Sequence, residues 1–99
     1  MAGRKIIWSP IAKRKLYLIL EYFTERNQSK TYSLKLYNLI RKELSLLRQN
    51  PDIGIRTSFD NVRGLIVLDY TIFYEITNDI IIVQTIWDNR QNPDNLNIK

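Results

Sequence analysis

The chain has 99 residues, with 15 Lys and Arg against 10 Asp and Glu; its net charge of +5 and pI near 9.6 favour a polyanionic target or an acidic partner. Hydrophobic residues at 44% and aromatic ones at 11% exclude a disordered chain, and 3 Gly with 3 Pro exclude a fibrous one, so one compact domain over residues 1–99 is expected. The absence of Cys excludes disulfides, thiolate nucleophiles and thiolate zinc sites, the absence of His removes the commonest general base and metal ligand, and no cofactor or metal is expected.

In chain order, Lys5-Ile6-Ile7-Trp8 reads as a short strand. Ser9-Pro10 reads as an N-cap followed by proline at the first helical position, where its missing N–H costs nothing. The helix that begins there carries Ala12, Leu16, Ile19 and Phe23 on one stripe, flanked by Ile11, Leu18 and Tyr22, with Lys13, Arg14 and Lys15 making its first half basic. Asn27-Gln28-Ser29 breaks the pattern, and Ser29 is the candidate cap of a second helix in which Tyr32, Leu36, Ile40, Leu44 and Leu47 repeat. That helix stops near Asn50, because the residue before Pro51 is pushed out of the helical region.

After a turn at Pro51-Asp52-Ile53-Gly54, the pattern predicts a strand over Ile55 to Phe59, a reversal at Asp60-Asn61, and a further strand from Asn61 or Val62 to Asp69. Two more β-branched and aromatic runs follow, separated by Asn78-Asp79 as a two-residue hairpin turn, since both residue types tolerate positive φ. That turn pairs Thr77 with Ile80, Ile76 with Ile81, Tyr74 with Val83 and Ile72 with Thr85. It puts Ile72, Tyr74, Ile76, Ile81, Val83 and Thr85 on a core face, and Thr71, Phe73, Glu75, Thr77, Ile80, Ile82, Gln84 and Ile86 on the other. The order is β-α-α-β-β-β-β. Segregation of helices from hairpin-linked strands predicts an α+β fold, an antiparallel sheet with both helices packed on one face. The polar tail Asp94 to Lys99 is expected to fray. No apolar run approaches a spanning length of about 18 residues. The N-terminus MAGRKIIWSP lacks the apolar region and cleavage site of a signal peptide, so a cytoplasmic location with no membrane partner is expected.

With this order, the opening IIWSPIAKRKL, the Asn50-Pro51-x-x-Gly54 turn, Val62-Arg63-Gly64, the Tyr70 to Tyr74 strand and the close Trp87-Asp88-Asn89-Arg90-Gln91-Asn92-Pro93 resemble the RelE/ParE superfamily of type II toxin–antitoxin toxins, the plasmid stabilisation protein-like group. The resemblance runs over roughly residues 4 to 96 and implies a toxin neutralised by a cognate antitoxin whose extended or helical segment wraps it. It further implies contact with operator DNA only through that antitoxin. RelE-like members cut mRNA in the ribosomal A site; ParE-like members poison DNA gyrase.

Metal-independent RNA cleavage needs a group to take the 2′-OH proton, cations around the scissile phosphate and an acid for the leaving oxygen. By the resemblance, Arg63 stands at the sheet arginine that contacts the phosphate, Arg90 at the closing-motif arginine, and Arg56 on a strand where nuclease members place basic residues. If these three converge on one phosphate, Tyr74, Glu75 or Asp88 is the candidate proton acceptor, and the expected activity is that of a ribosome-dependent endoribonuclease. Two departures weigh against it: the chain has no His, and no lysine pair stands beside Gly54. Asp88-Asn89-Arg90-Gln91 is closer to the His-Gly-Arg-Gln close of ParE-like gyrase inhibitors. A catalytically silent basic module that recognises nucleic acid or an acidic partner is the third alternative. Each residue also has a structural reading: Arg63 pairing with Asp60, Asp69 or Glu75, Arg90 pairing with Asp88 or Asp94, and Tyr74 packed with its hydroxyl satisfied.

Overall fold

A computed structural model describes residues 3–91; the expected fraying of the tail at 94–99 and the close of the last motif at Asn92-Pro93 lie outside them. The order is β1 (Lys5–Trp8), α1 (Pro10–Asn27), α2 (Thr31–Leu46), a 3-10 turn (Pro51–Ile53), β2 (Ile55–Arg56), β3 (Val62–Val67), β4 (Tyr70–Ile76) and β5 (Ile80–Asp88). The five strands form one sheet in the order β1-β5-β4-β3-β2. The β-α-α-β-β-β-β expectation holds.

Ser9 starts α1 as the sequence predicts, its Oγ accepting from the Ala12 N–H at 3.1 Å. The same hydroxyl donates to the Gln84 carbonyl at 2.8 Å, so one side chain both caps the helix and fixes its first turn to β5. Ala12 and Leu16 of α1, Leu36, Ile40 and Leu44 of α2, and Leu47 just beyond it bury against Leu65, Val67, Ile72, Tyr74, Ile81 and Val83 on one face of the sheet. At its start α2 departs from expectation. Lys30 is the N-cap and gives no side-chain bond, while Ser29 Oγ accepts from the Thr31 N–H at 3.2 Å. Near that turn the helices are joined by a polar clasp: Thr24 Oγ1 and Ser33 Oγ lie 2.6 Å apart, and Ser33 Oγ donates to the Leu20 carbonyl at 2.8 Å.

The sheet is mixed, which corrects the expected antiparallel one. β1 runs parallel to β5 with Ile6 opposite Ile81 and Trp8 opposite Val83. Alternation tells which side chains share a face but not which way a strand runs, and here the parallel register is the one that lays Ile6 and Trp8 beside the core. The Asn78-Asp79 hairpin pairs Ile76 with Ile81 and Tyr74 with Val83 as predicted, then a β-bulge at Phe73/Tyr74 shifts the register so that Thr85 meets Phe73 and Ile86 meets Ile72, which brings Ile86, expected on the far face, into the core.

β2 is shorter than predicted. The chain leaves the sheet at Thr57, whose hydroxyl donates to the Val62 carbonyl at 2.8 Å and accepts from the Phe59 N–H at 3.2 Å, closing a turn where strand was expected. β3 ends at Val67 rather than Asp69, and Leu68 makes the next reversal with φ 55°. On the far face Val62 and Phe73 are buried outside the main core, and a Cβ on Gly64 would collide with the Thr71 methyl and crowd the Phe73 ring. Among the described residues no helix is long and apolar enough to cross a membrane.

Candidate functional site

The candidate residues gather in two places on the helix-side face, at opposite ends of the sheet. The first is built by the 3-10 turn, β2, β3 and β4. Arg63 stands opposite Tyr74 on one side and opposite Arg56 on the other, so all three side chains share a face. Tyr74 is fully buried; its hydroxyl donates to the Pro51 carbonyl at 2.6 Å and accepts from the Gly54 N–H at 2.9 Å. A Cβ on Gly54 would collide with that hydroxyl, so the turn needs glycine there for lack of room. Arg63 donates through Nη1 to the carbonyls of Gly54 at 2.9 Å and Asp52 at 3.2 Å, and its Nε lies 3.6 Å from the Asp52 carboxylate. Arg63 and Tyr74 therefore hold the 3-10 turn against the sheet by complementary bonds, one donating to two of its carbonyls, the other bridging its first carbonyl and its closing amide. Burial raises the Tyr74 hydroxyl above the ordinary tyrosine value, opposed by the Gly54 N–H and the Arg63 charge. Arg56 is exposed at the sheet edge.

The second place lies where β5 ends beside α1. A cleft of about 480 Å³ is walled by Leu18, Ile19 and Tyr22 of α1 and by Tyr70, Ile86 and Trp87 of the sheet, with Lys15, Asp88 and Arg90 at its polar parts. Lys15 Nζ donates to Thr85 Oγ1 at 2.9 Å. Arg90 is held by Asp88 in a two-pronged pair, Nε to Oδ1 at 2.9 Å and Nη2 to Oδ2 at 2.8 Å, and the Arg90 N–H also donates to Oδ1 at 2.9 Å. The Arg90 side-chain bond is the main reason the Asp88 carboxyl sits below its ordinary range, and the same bond raises the guanidinium. Desolvation lifts the Tyr70 hydroxyl, with the Arg90 charge acting against it.

The three arginines do not converge. Arg63 is level with Tyr74, which pairs with Val83, and Arg90 follows Asp88 at the far end of β5. At about 3.3 Å per residue those five steps separate the two guanidinium anchors by about 16 Å along the strands. Nor is Glu75 near Arg63: it points to the opposite face, where its carboxylate accepts from Asn61 Nδ2 at 2.8 Å and Gln84 Nε2 at 2.7 Å. The partner of Arg63 is Asp52, which neighbour-counting along the strands did not suggest because the turn that carries it folds back over the sheet. Among the described residues no group of acidic side chains is arranged to hold a metal ion.

Comparison with known proteins adds two likenesses. The model of the family described as "ParE toxin of type II toxin-antitoxin system, parDE" matches residues 6–93. Among solved structures, a chain of the "Chromosomal ParDE TA system from P. aeruginosa" superposes with a TM-score of 0.72 at 18% identity, over 85% of this chain and 94% of that one, a likeness of fold. No curated protein sequence matches.

Proposed function

Because the match over residues 6–93 makes this chain a member of the ParE toxin family of type II toxin–antitoxin systems, we propose that it arrests growth by binding its target, DNA gyrase, rather than by cutting RNA. The carrying observation is the commitment of Arg63 and Arg90 to separate partners at opposite ends of the sheet. Metal-independent cleavage needs cations and a proton acceptor within reach of one phosphate. Here Arg63 is bound to two carbonyls and Asp52, the Tyr74 hydroxyl is occupied inside the fold, and Arg90 is neutralised by Asp88. In this reading Arg63 and Tyr74 shape the surface, and Arg56 and the Asp88–Arg90 pair offer contacts.

Ribosome-dependent mRNA cleavage is the second reading, favoured by the side-by-side cations Arg56 and Arg63 next to Tyr74. One experiment separates them. The purified protein is added to a gyrase supercoiling reaction, and mRNA is mapped by primer extension after induction in cells. Loss of supercoiling with intact mRNA is the expected result; cuts within codons with unimpaired supercoiling overturn it.

The structural relative is named as a ParDE system, and a cognate antitoxin is proposed for this chain as well. The cleft beside α1, continuous with exposed Ile11, Leu18 and Tyr22, is the surface proposed for it: these residues recur at seven and four along the helix, as an apolar partner stripe requires.

A further inference from the structure

β1 and the last turns of α2 meet in a basic groove. It has a volume of about 410 Å³ and is lined by the cations Lys5, Arg41 and Arg48, by Ser45, and by Ile6, Trp8 and Leu44, with no carboxylate in its lining. Lys5, Arg41 and Arg48 are all exposed, and among the described residues none of the three forms an ion pair with a carboxylate; the pairs present are Arg63–Asp52 and Arg90–Asp88.

The two arginines are fixed before any ligand arrives. Arg48 Nε donates to the Arg4 carbonyl at 3.2 Å while the Arg48 carbonyl accepts from the Arg4 N–H at 3.1 Å, which ties the end of the helical hairpin to β1. Arg41 lies over the Tyr37 ring, its guanidinium carbon 5.7 Å from the centroid. Each contact leaves the Nη groups of its arginine without a hydrogen bond among the described residues, and a guanidinium so held presents a fork of donors to an anion. Five residues of α-helix and a tighter last step set Arg41 and Arg48 about 11 Å apart along the axis, close to three phosphate steps of one B-DNA strand at about 3.4 Å each.

We propose that this groove seats the phosphate backbone of double-stranded DNA, one phosphate to each of Lys5, Arg41 and Arg48, with no reading of the base sequence. Cations held in place suit a polyanion whose charges are held in place, because neither side loses much freedom on contact; a flexible acidic polypeptide would have to be ordered first. An unpaired strand is disfavoured. Its bases need aromatic faces to stack on, and of the two rings here Tyr37 is covered by Arg41 and Trp8 alone lines the groove. The groove shares no residue with the cleft beside α1. The choice of DNA over RNA rests on the gyrase reading, since that enzyme holds duplex DNA; the binding test contains no gyrase, so the two readings fail separately.

The test titrates the full chain into a short fluorescein-labelled DNA duplex and follows anisotropy over a range of salt. Expected is saturable binding, equal for duplexes of unrelated sequence, whose log affinity falls against log salt with a slope of about −2.7, that is about −0.9 for each of three phosphate contacts. At about 0.1 M salt, where the Debye length is about 10 Å, Arg41→Glu and Lys5→Glu each weaken binding about tenfold, and Arg41→Ala flattens the slope by about 0.9. Lys30→Glu makes the same change in net charge at the exposed other end of α2, about 16 Å from Arg41 along the helix, and leaves the affinity within about twofold. Circular dichroism establishes that each variant is folded; Lys5→Glu, whose ammonium makes no bond among the described residues, carries the test should Arg41→Glu melt. Equal weakening by Lys30→Glu, a flat salt dependence, tighter binding of single-stranded DNA or of an RNA duplex, equal binding of polyglutamate, or no saturable binding overturns the proposal.

Discussion

Tyr74→Phe removes one oxygen atom from a fully buried ring and leaves two groups of the 3-10 turn without a partner, the Pro51 carbonyl that took its proton at 2.6 Å and the Gly54 N–H that donated to it at 2.9 Å. A net intramolecular hydrogen bond contributes about 1 kcal/mol, and a buried group stranded by a deletion costs about 1–3 kcal/mol, so two such losses predict a destabilisation of about 2–3 kcal/mol. For a domain of this size each 1 kcal/mol moves the melting temperature by about 4–8 °C, which gives a fall of about 8–24 °C. The assay is thermal denaturation followed by circular dichroism, with Tyr17→Phe as the control: that hydroxyl is bonded to Glu21 at 3.1 Å on a side chain left 63% exposed, and its deletion leaves the melting temperature within about 2 °C. A Tyr74→Phe protein that melts as late as the control refutes the bracing role. A folded Tyr74→Phe protein that has lost its growth arrest at a temperature well below its melting point assigns the hydroxyl to the toxic action instead, against the binding mechanism.

The same hydroxyl predicts an alkaline limb. Its titration is raised above 10.0 chiefly by burial, so its contribution is fully present below about pH 10 and is lost as pH rises through the folded value; stability of the wild type falls there, and Tyr74→Phe removes that part of the slope in denaturation curves taken across the alkaline range. Ser33→Ala cuts both bonds of the interhelical clasp and is expected to cost about 1–2 kcal/mol, read as a lower urea midpoint at unchanged slope; an unaltered midpoint would mean that apolar packing alone holds the two helices together there. Leu68→Gly relieves a positive φ at an exposed turn residue and is expected to raise stability by about 0.5–1 kcal/mol, seen as a melting temperature a few degrees higher; a lower one would show that the turn does not hold Leu68 in that region.

The amino-acid sequence by itself determined the element order, the start of α1 at Ser9-Pro10, the apolar stripes of both helices and the alternation that buries Ile72, Tyr74, Ile81 and Val83. Each of these is a property of local chemistry repeated at the period of a helix or a strand. The toxin family was legible too, from short segments kept in order. What only the tertiary structure decided depends on contacts between residues far apart in the chain. The parallel direction of β1, the bulge that shifts Thr85 and Ile86, and the early exit of the chain at Thr57 belong to this class. So does the fate of the arginines. The resemblance gathered Arg56, Arg63 and Arg90 about one phosphate, but the β2–β3 register set only Arg56 beside Arg63, a turn folding back over the sheet gave Arg63 its partner in Asp52, and the length of β5 carried Arg90 away to Asp88. A guanidinium is fixed by whichever acceptors the fold delivers within about 3 Å, and a one-dimensional pattern does not carry that information.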